Sequence, residues 1–134
     1  MVVLDTCVLL KWMWEHEAQS PAAQTYRDQH IAGTNRIAVP ELFFYEVANV
    51  LACKTPLSLE EALEEFHALV DMELESHPFS GELFSKAISL SKRFGMSLYD
   101  SSYIALAEEL GCNFITADAK LLAKAKTLSF VKPL

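Results

Sequence analysis

Residues 99–122 read YDSSYIALAEELGCNFITADAKLL, and this stretch decides the fold. Its first half is a helical run that buries Ile104, Ala105 and Leu106 and is stopped by Gly111. The apolar run 113–116 that follows has the length of a buried strand, and Asp118 then leads into a second helical run over 119–126. Helix, strand and helix succeed one another without a hairpin turn. A strand flanked in this way pairs in parallel, and parallel sheets need cover on both faces.

The alternation extends toward both ends. Residues 2–4 are a short apolar strand, and 7–14 are apolar on nearly every face, so a helix there must be covered on several sides. Ser20 followed by Pro21 predicts a helix start, with Ser as cap and Pro at the first position, running to about Gly33. A strand at 37–39 leads to a helix opened by Pro40, with Phe43, Val47, Val50 and Leu51 on one face. Ser58 and Glu61 form a capping box for the next helix. An alternating strand over 72–77, a helix over 80–94 ended by Gly95, and a last strand over 128–131 complete the pattern. The expected fold class is α/β: one domain spanning 1–134, three layers α/β/α, with a central parallel sheet of about five short strands.

Composition agrees with an ordered globular domain, since 51% of the 134 residues are hydrophobic and 22% charged. The net charge of −7 has the wrong sign for a protein that grips nucleic acid through its overall field. The charges are unevenly spread, however. No Lys or Arg occurs over 55–85, whereas Lys86, Lys92, Arg93, Lys120, Lys124, Lys126 and Lys132 all follow, which leaves room for a local basic rim. Cys7, Cys53 and Cys112 are odd in number and widely spaced, which disfavours a disulfide framework or a structural zinc site and points to a reducing cytoplasm. Neither a signal peptide nor a bilayer-spanning run is visible.

Four acids recur where strands hand over to helices or inside an apolar helix: Asp5, Glu46, Asp100 and Asp118. Ligands of a parallel sheet bind beyond the carboxyl ends of its strands, where Asp5 and Asp118 fall. Singly, each Asp reads more simply as a helix cap, the commonest explanation for an acid at such a junction. Glu46 does not, because it lies several residues inside its helix, where a carboxylate needs a partner. Together the four would repel in a low-dielectric cleft, so a cation is expected, and oxygen-only donors select Mg2+ or Mn2+ over zinc. His16, His30, His67 and His77 follow no ligand spacing and read as surface or packing residues. Trp12 and Trp14 point to different faces of their helix, so at least one is expected to contact something beyond its own core.

The segments VVLDTCVLLKW (2–12), PELFFYEVANVL (40–51), SLYDSSYIALAEELG (97–111) and FITADAKL (114–121) together resemble the PIN domain family, within it the VapC-like ribonuclease toxins. The resemblance covers nearly the whole chain and implies a PIN-like fold. It implies that Asp5, Glu46, Asp100 and Asp118 are the metal ligands, directly or through water, with Thr6, Asn49 and Thr116 as polar support. Cys7 departs from the small hydroxyl residue frequent at that place. The implied activity is Mg2+- or Mn2+-dependent endoribonuclease cleavage of single-stranded or looped RNA. The implied partners are a second copy in a homodimer, through the helix of Trp12 and Trp14 or that of Phe43, Phe44 and Tyr45, and a cognate antitoxin. The alternative from another class is a phosphorylation-controlled receiver domain, favoured by FITA and FVKPL. It is disfavoured because Asp5 is followed by Thr6 rather than a second acid, and because no Asp follows a middle strand.

Overall fold

Short apolar runs without polar alternation fit only strands buried on both faces, and the inner strands obey this. β1 (Val2–Leu4) and β2 (Ile37–Pro40) are buried throughout, and β4 (Asn113–Thr116) is buried after its first residue. β3 (Glu75–His77) and β5 (Val131–Pro133) are half-exposed edges. The sheet is parallel throughout with order β3-β2-β1-β4-β5. The computed structural model describes residues 1–14 and 19–134.

The helices are α1 (Thr6–Leu9), continued by a 3-10 turn Leu10–Trp12, α2 (Ser20–Ile31), α3 (Leu42–Cys53), α4 (Leu59–Val70), α5 (Gly81–Phe94), α6 (Leu98–Leu110) and α7 (Ala119–Lys124). Connections from β1 to β3 run one way along the sheet and those from β3 to β5 the other. Right-handed crossovers therefore place the two sets of helices on opposite faces, giving three layers. α6 is buried continuously from Ser101 to Ala107, because it lies against β1, β2 and β4 on one side while α5 packs along it on the other. Its lack of a single apolar stripe follows from that two-sided cover. Among the described residues no helix is long and apolar enough to cross a membrane.

Several local expectations shift for identifiable reasons. Ser20 is the first residue of α2, not its cap: Gln19 precedes it in the left-handed region at φ 68°, and the Ser20 hydroxyl donates to the Lys11 carbonyl at 2.9 Å. Pro40 closes β2 rather than opening α3, because the Glu41 amide still donates to the His77 carbonyl of β3 at 2.9 Å. β3 begins only at Glu75, since Glu73 takes a positive φ of 51° in the preceding turn. The last strand starts at Val131, as turn hydrogen bonds from Leu128 to Ala125 and from Val131 to Leu128 use up residues 125–131. The capping box at Ser58 and Glu61 forms as expected, and Gly95 and Gly111 close α5 and α6 at φ 63°.

Trp12 belongs to its own core, its Nε1 donating to the Ala23 carbonyl at 2.8 Å, and Trp14 is half-buried. His30 is a packing residue. Its Nδ1 accepts the Ile37 amide and its Nε2 faces the Met72 carbonyl at 2.9 Å, tying α2 to β2 and to the approach to β3. His77 pairs with Glu75 and His67 is exposed, while His16 lies outside the described residues.

Candidate active site

The sheet reverses its winding between β1 and β4, so a crevice opens beyond their carboxyl ends. Register sets Leu4 beside Ile115, and the Asp5 amide donates to the Ile115 carbonyl at 3.0 Å. Asp5 therefore leaves β1 level with Thr116. The buried Thr116 hydroxyl donates to Asp5 Oδ2 at 2.5 Å and accepts the Asp118 amide at 3.0 Å, coupling the two acids through one side chain. Cys7 Sγ lies 3.2 Å from the same Asp5 oxygen.

The three aspartates part company over capping. Asp118 is a cap, its Oδ1 accepting the amides of Lys120 and Leu121 at 2.8 and 3.1 Å. Asp5 stands at the cap position of α1 but makes no side-chain cap bond. Asp100 is not a cap: Ser97 fills that role by accepting the Asp100 amide at 3.0 Å, which places Asp100 in the first turn of α6. Among the described residues no hydrogen bond or ion pair reaches the Asp100 carboxylate, which the helix dipole favours at that position.

Burial raises the Asp5 pKa. The Thr116 and Cys7 bonds oppose that rise, and the negative charge of Asp100 adds to it, so these two acids feel each other. Burial, then the Asp5 charge, push the Cys7 thiol up to about 12, so it is a protonated donor at neutral pH and not a nucleophile.

Glu46 projects from α3 into a second cluster. Its Oε2 lies 2.6 Å from Thr6 Oγ1 and 2.6 Å from the Tyr103 hydroxyl, and those two hydroxyls are 2.7 Å apart. Burial, followed by the Glu46 charge, raises the phenol far above its ordinary value, so Tyr103 keeps its proton. Two hydroxyl protons must then serve three contacts. Both donated to the carboxylate leave the Thr6–Tyr103 contact without one.

Thr6 and Thr116 hydrogen-bond Glu46 and Asp5 respectively, whereas Asn49 is exposed on α3 and has no hydrogen bond to either cluster among the described residues. Tyr103 was not expected. Its signal was its spacing, since it stands one turn after Asp100 and so shares that side of α6. Of the expected basic rim, Lys86 is paired with Glu109 and Lys124 donates to the Gly95 carbonyl, while Lys120 is exposed next to the Asp118 cap.

The donor set is all oxygen and negatively charged, with Asp5 and Asp100 in mutual repulsion, which is the chemistry a hard divalent cation would relieve. In this conformation no three His, Cys, Asp or Glu side chains among the described residues are grouped closely enough to hold a metal ion. The Glu46 and Asp118 carboxylates are held by their own hydrogen bonds instead.

The sequence profile of the PIN domain matches residues 2–127. The chain belongs to the PIN domain family. This PIN domain is similar to Ribonuclease VapC3 of Pyrobaculum aerophilum, at 33% identity over 93 residues covering 66% of this chain and 70% of that one. It is also similar to Exonuclease VapC9 of the same organism, at 27% identity over 115 residues covering 78% and 79%. Among solved structures, VapBC2 from Rickettsia felis bound to a DNA fragment from its promoter superposes with a TM-score of 0.72 at 14% identity, covering 100% of this chain and 98% of that one. That likeness establishes the three-layer fold, and a receiver domain finds no support.

Proposed function

We propose that this PIN domain is a divalent-cation-dependent endoribonuclease, the toxin of a toxin-antitoxin pair, cleaving single-stranded or looped RNA. The observation that supports the reading is the PIN profile match over 2–127, in a chain whose Asp5 stands at the β1/β4 crevice and feels the charge of Asp100. Asp5, Glu46, Asp100 and Asp118 would hold Mg2+ or Mn2+, with Asp118 and Glu46 acting through water where their present hydrogen bonds persist. When bound, such a cation supplies a water activated for in-line attack and charge stabilisation at the phosphodiester.

The chain's own residues do the rest. Thr116 and Cys7 both donate to Asp5 Oδ2 and fix the rotation of that carboxylate. Thr6 and Tyr103 hold Glu46 by Oε2, leaving Oε1 as the oxygen that can accept a proton or a water. Asp100 brings charge with no hydrogen-bond or ion-pair partner among the described residues, which leaves its carboxylate able to answer an incoming group. Neutralising these acids also answers the −7 charge, which otherwise repels a polyanion. The partners that go with this reading are a second copy of the chain and an antitoxin protein, in the cytoplasm.

The test is cleavage of linear and circular single-stranded RNA with Mg2+, with Mn2+ and in EDTA. Cleavage of the circle only with a cation is expected. Cleavage of the linear RNA alone would make the enzyme end-directed, as the name of one relative suggests, and undiminished cleavage in EDTA would end the cation-dependent reading.

A further inference from the structure

Three aromatic side chains stand exposed among the described residues, Tyr45 at 71%, Phe79 at 65% and Tyr99 at 60%, and all three line one cavity of about 240 Å³. Scattered exposed aromatics mean little, but their confinement to one concavity needs a reason. The cavity opens beyond the carboxyl ends of β2 and β3, between Pro40 and His77, and its walls come from the first turns of α3, α5 and α6. Tyr45 directly precedes Glu46, and Tyr99 directly precedes Asp100. The same two helix starts thus carry acids toward the crevice and rings toward the cavity.

We propose that this cavity is a base-stacking subsite that takes an unpaired nucleobase of the RNA beside the cleaved phosphodiester. The proposal rests on the ribonuclease reading for its ligand class. Its volume falls below the roughly 300 Å³ at which pockets for drug-sized ligands begin, leaving room for about one ring system. A chain of net charge −7 cannot hold RNA by its field, whereas stacking on a ring needs no charge and tolerates any base. Phe79 is braced edge-on by Phe84 at 4.7 Å between ring centres, so one wall is already ordered. A polymer held at the acids must run on past the residues beside them. On the Tyr45 and Tyr99 side this cavity is what it meets.

The experiment uses single-stranded RNA oligonucleotides with 2-aminopurine at each position in turn, whose fluorescence is quenched on stacking, bound in calcium to screen the carboxylates. The full chain should quench at one position. Tyr45→Ala and Tyr99→Ala should each weaken that binding roughly five- to hundredfold, the range that stacking on one ring supports, while Tyr45→Phe and Tyr99→Phe keep it. In the cleavage assay the alanine variants should raise KM by a similar factor at nearly unchanged kcat. Absence of quenching at any position overturns the subsite even if RNA is cleaved. Quenching without cleavage would instead uphold the subsite and sink the nuclease reading. If the alanine variants bind RNA normally but turn a dimer into a monomer by light scattering, the cavity joins two copies and the proposal is wrong.

Discussion

Asp5 carries a cost in the cation-free protein whose sign can be worked out. Its carboxyl is held above the ordinary value of 3.8 in the folded chain, by burial first and by Asp100 last, and returns to that value on unfolding. Above pH 3.8 the folded state therefore binds more protons than the unfolded one. Stability falls as pH rises through that window, and the loss persists at neutral pH. Asp5→Asn, whose amide oxygen can still accept from Thr116, should be more stable than the parent at pH 7 in chelator and show a flatter acid limb in urea titrations. An Asn variant less stable than the parent at pH 7 would refute the burial account. Tyr103→Phe tests the second cluster. It removes one of two donors to Glu46 but also the surplus hydroxyl contact, so it should cost only about 1 kcal/mol of stability. Activity should fall more, about 10- to 100-fold, as for other residues that orient a ligand side chain. A fully active Phe variant would leave Tyr103 as packing alone.

At the scale of elements, α6 does most to build the site, because its capped start presents Asp100 and its body presents Tyr103 while it is buried against β1, β2 and β4. Ser97 secures that start. Ser97→Ala should lower stability by about 1 kcal/mol, with Ser97→Thr largely restoring it, read from chemical denaturation midpoints. Activity should follow the same order, since an unravelled first turn misplaces Asp100. Equal midpoints for Ser97→Ala and the parent would count against the cap. The ends of α5 and α6 were legible because Gly95 and Gly111 stop them chemically. The starts of α2 and β5 were not, because a bond from the Ser20 hydroxyl to the Lys11 carbonyl and a turn bond from the Val131 amide to the Leu128 carbonyl replaced the expected local pattern.

For the whole molecule, the charge pattern predicts coupling between cation and fold. A ligand that binds only the native state should stabilise it by about 2.7 kcal/mol at 100 times its dissociation constant. Thermal melts should therefore rise with Mg2+ or Mn2+. Asp100→Asn should show a smaller rise, unimpaired stability in chelator and little cleavage. A parent whose melting ignores both cations, or an active Asp100→Asn protein, would remove Asp100 from the site.

The linear chain by itself determined the alternation of strand and helix, the parallel sheet and the four acids, because hydrophobic period, capping residues and stop glycines act within a few residues of one another. It also carried the family likeness, since the acids keep their order along the chain. What only the tertiary structure decided is how Asp5 and Glu46 are held. The Thr116 link to Asp5 and the grip of Thr6 and Tyr103 on Glu46 depend on side chains 40 to 111 positions apart. Such contacts follow from strand order and helix packing, which bring β1 beside β4 and α6 across the sheet, and no local pattern of residues encodes them.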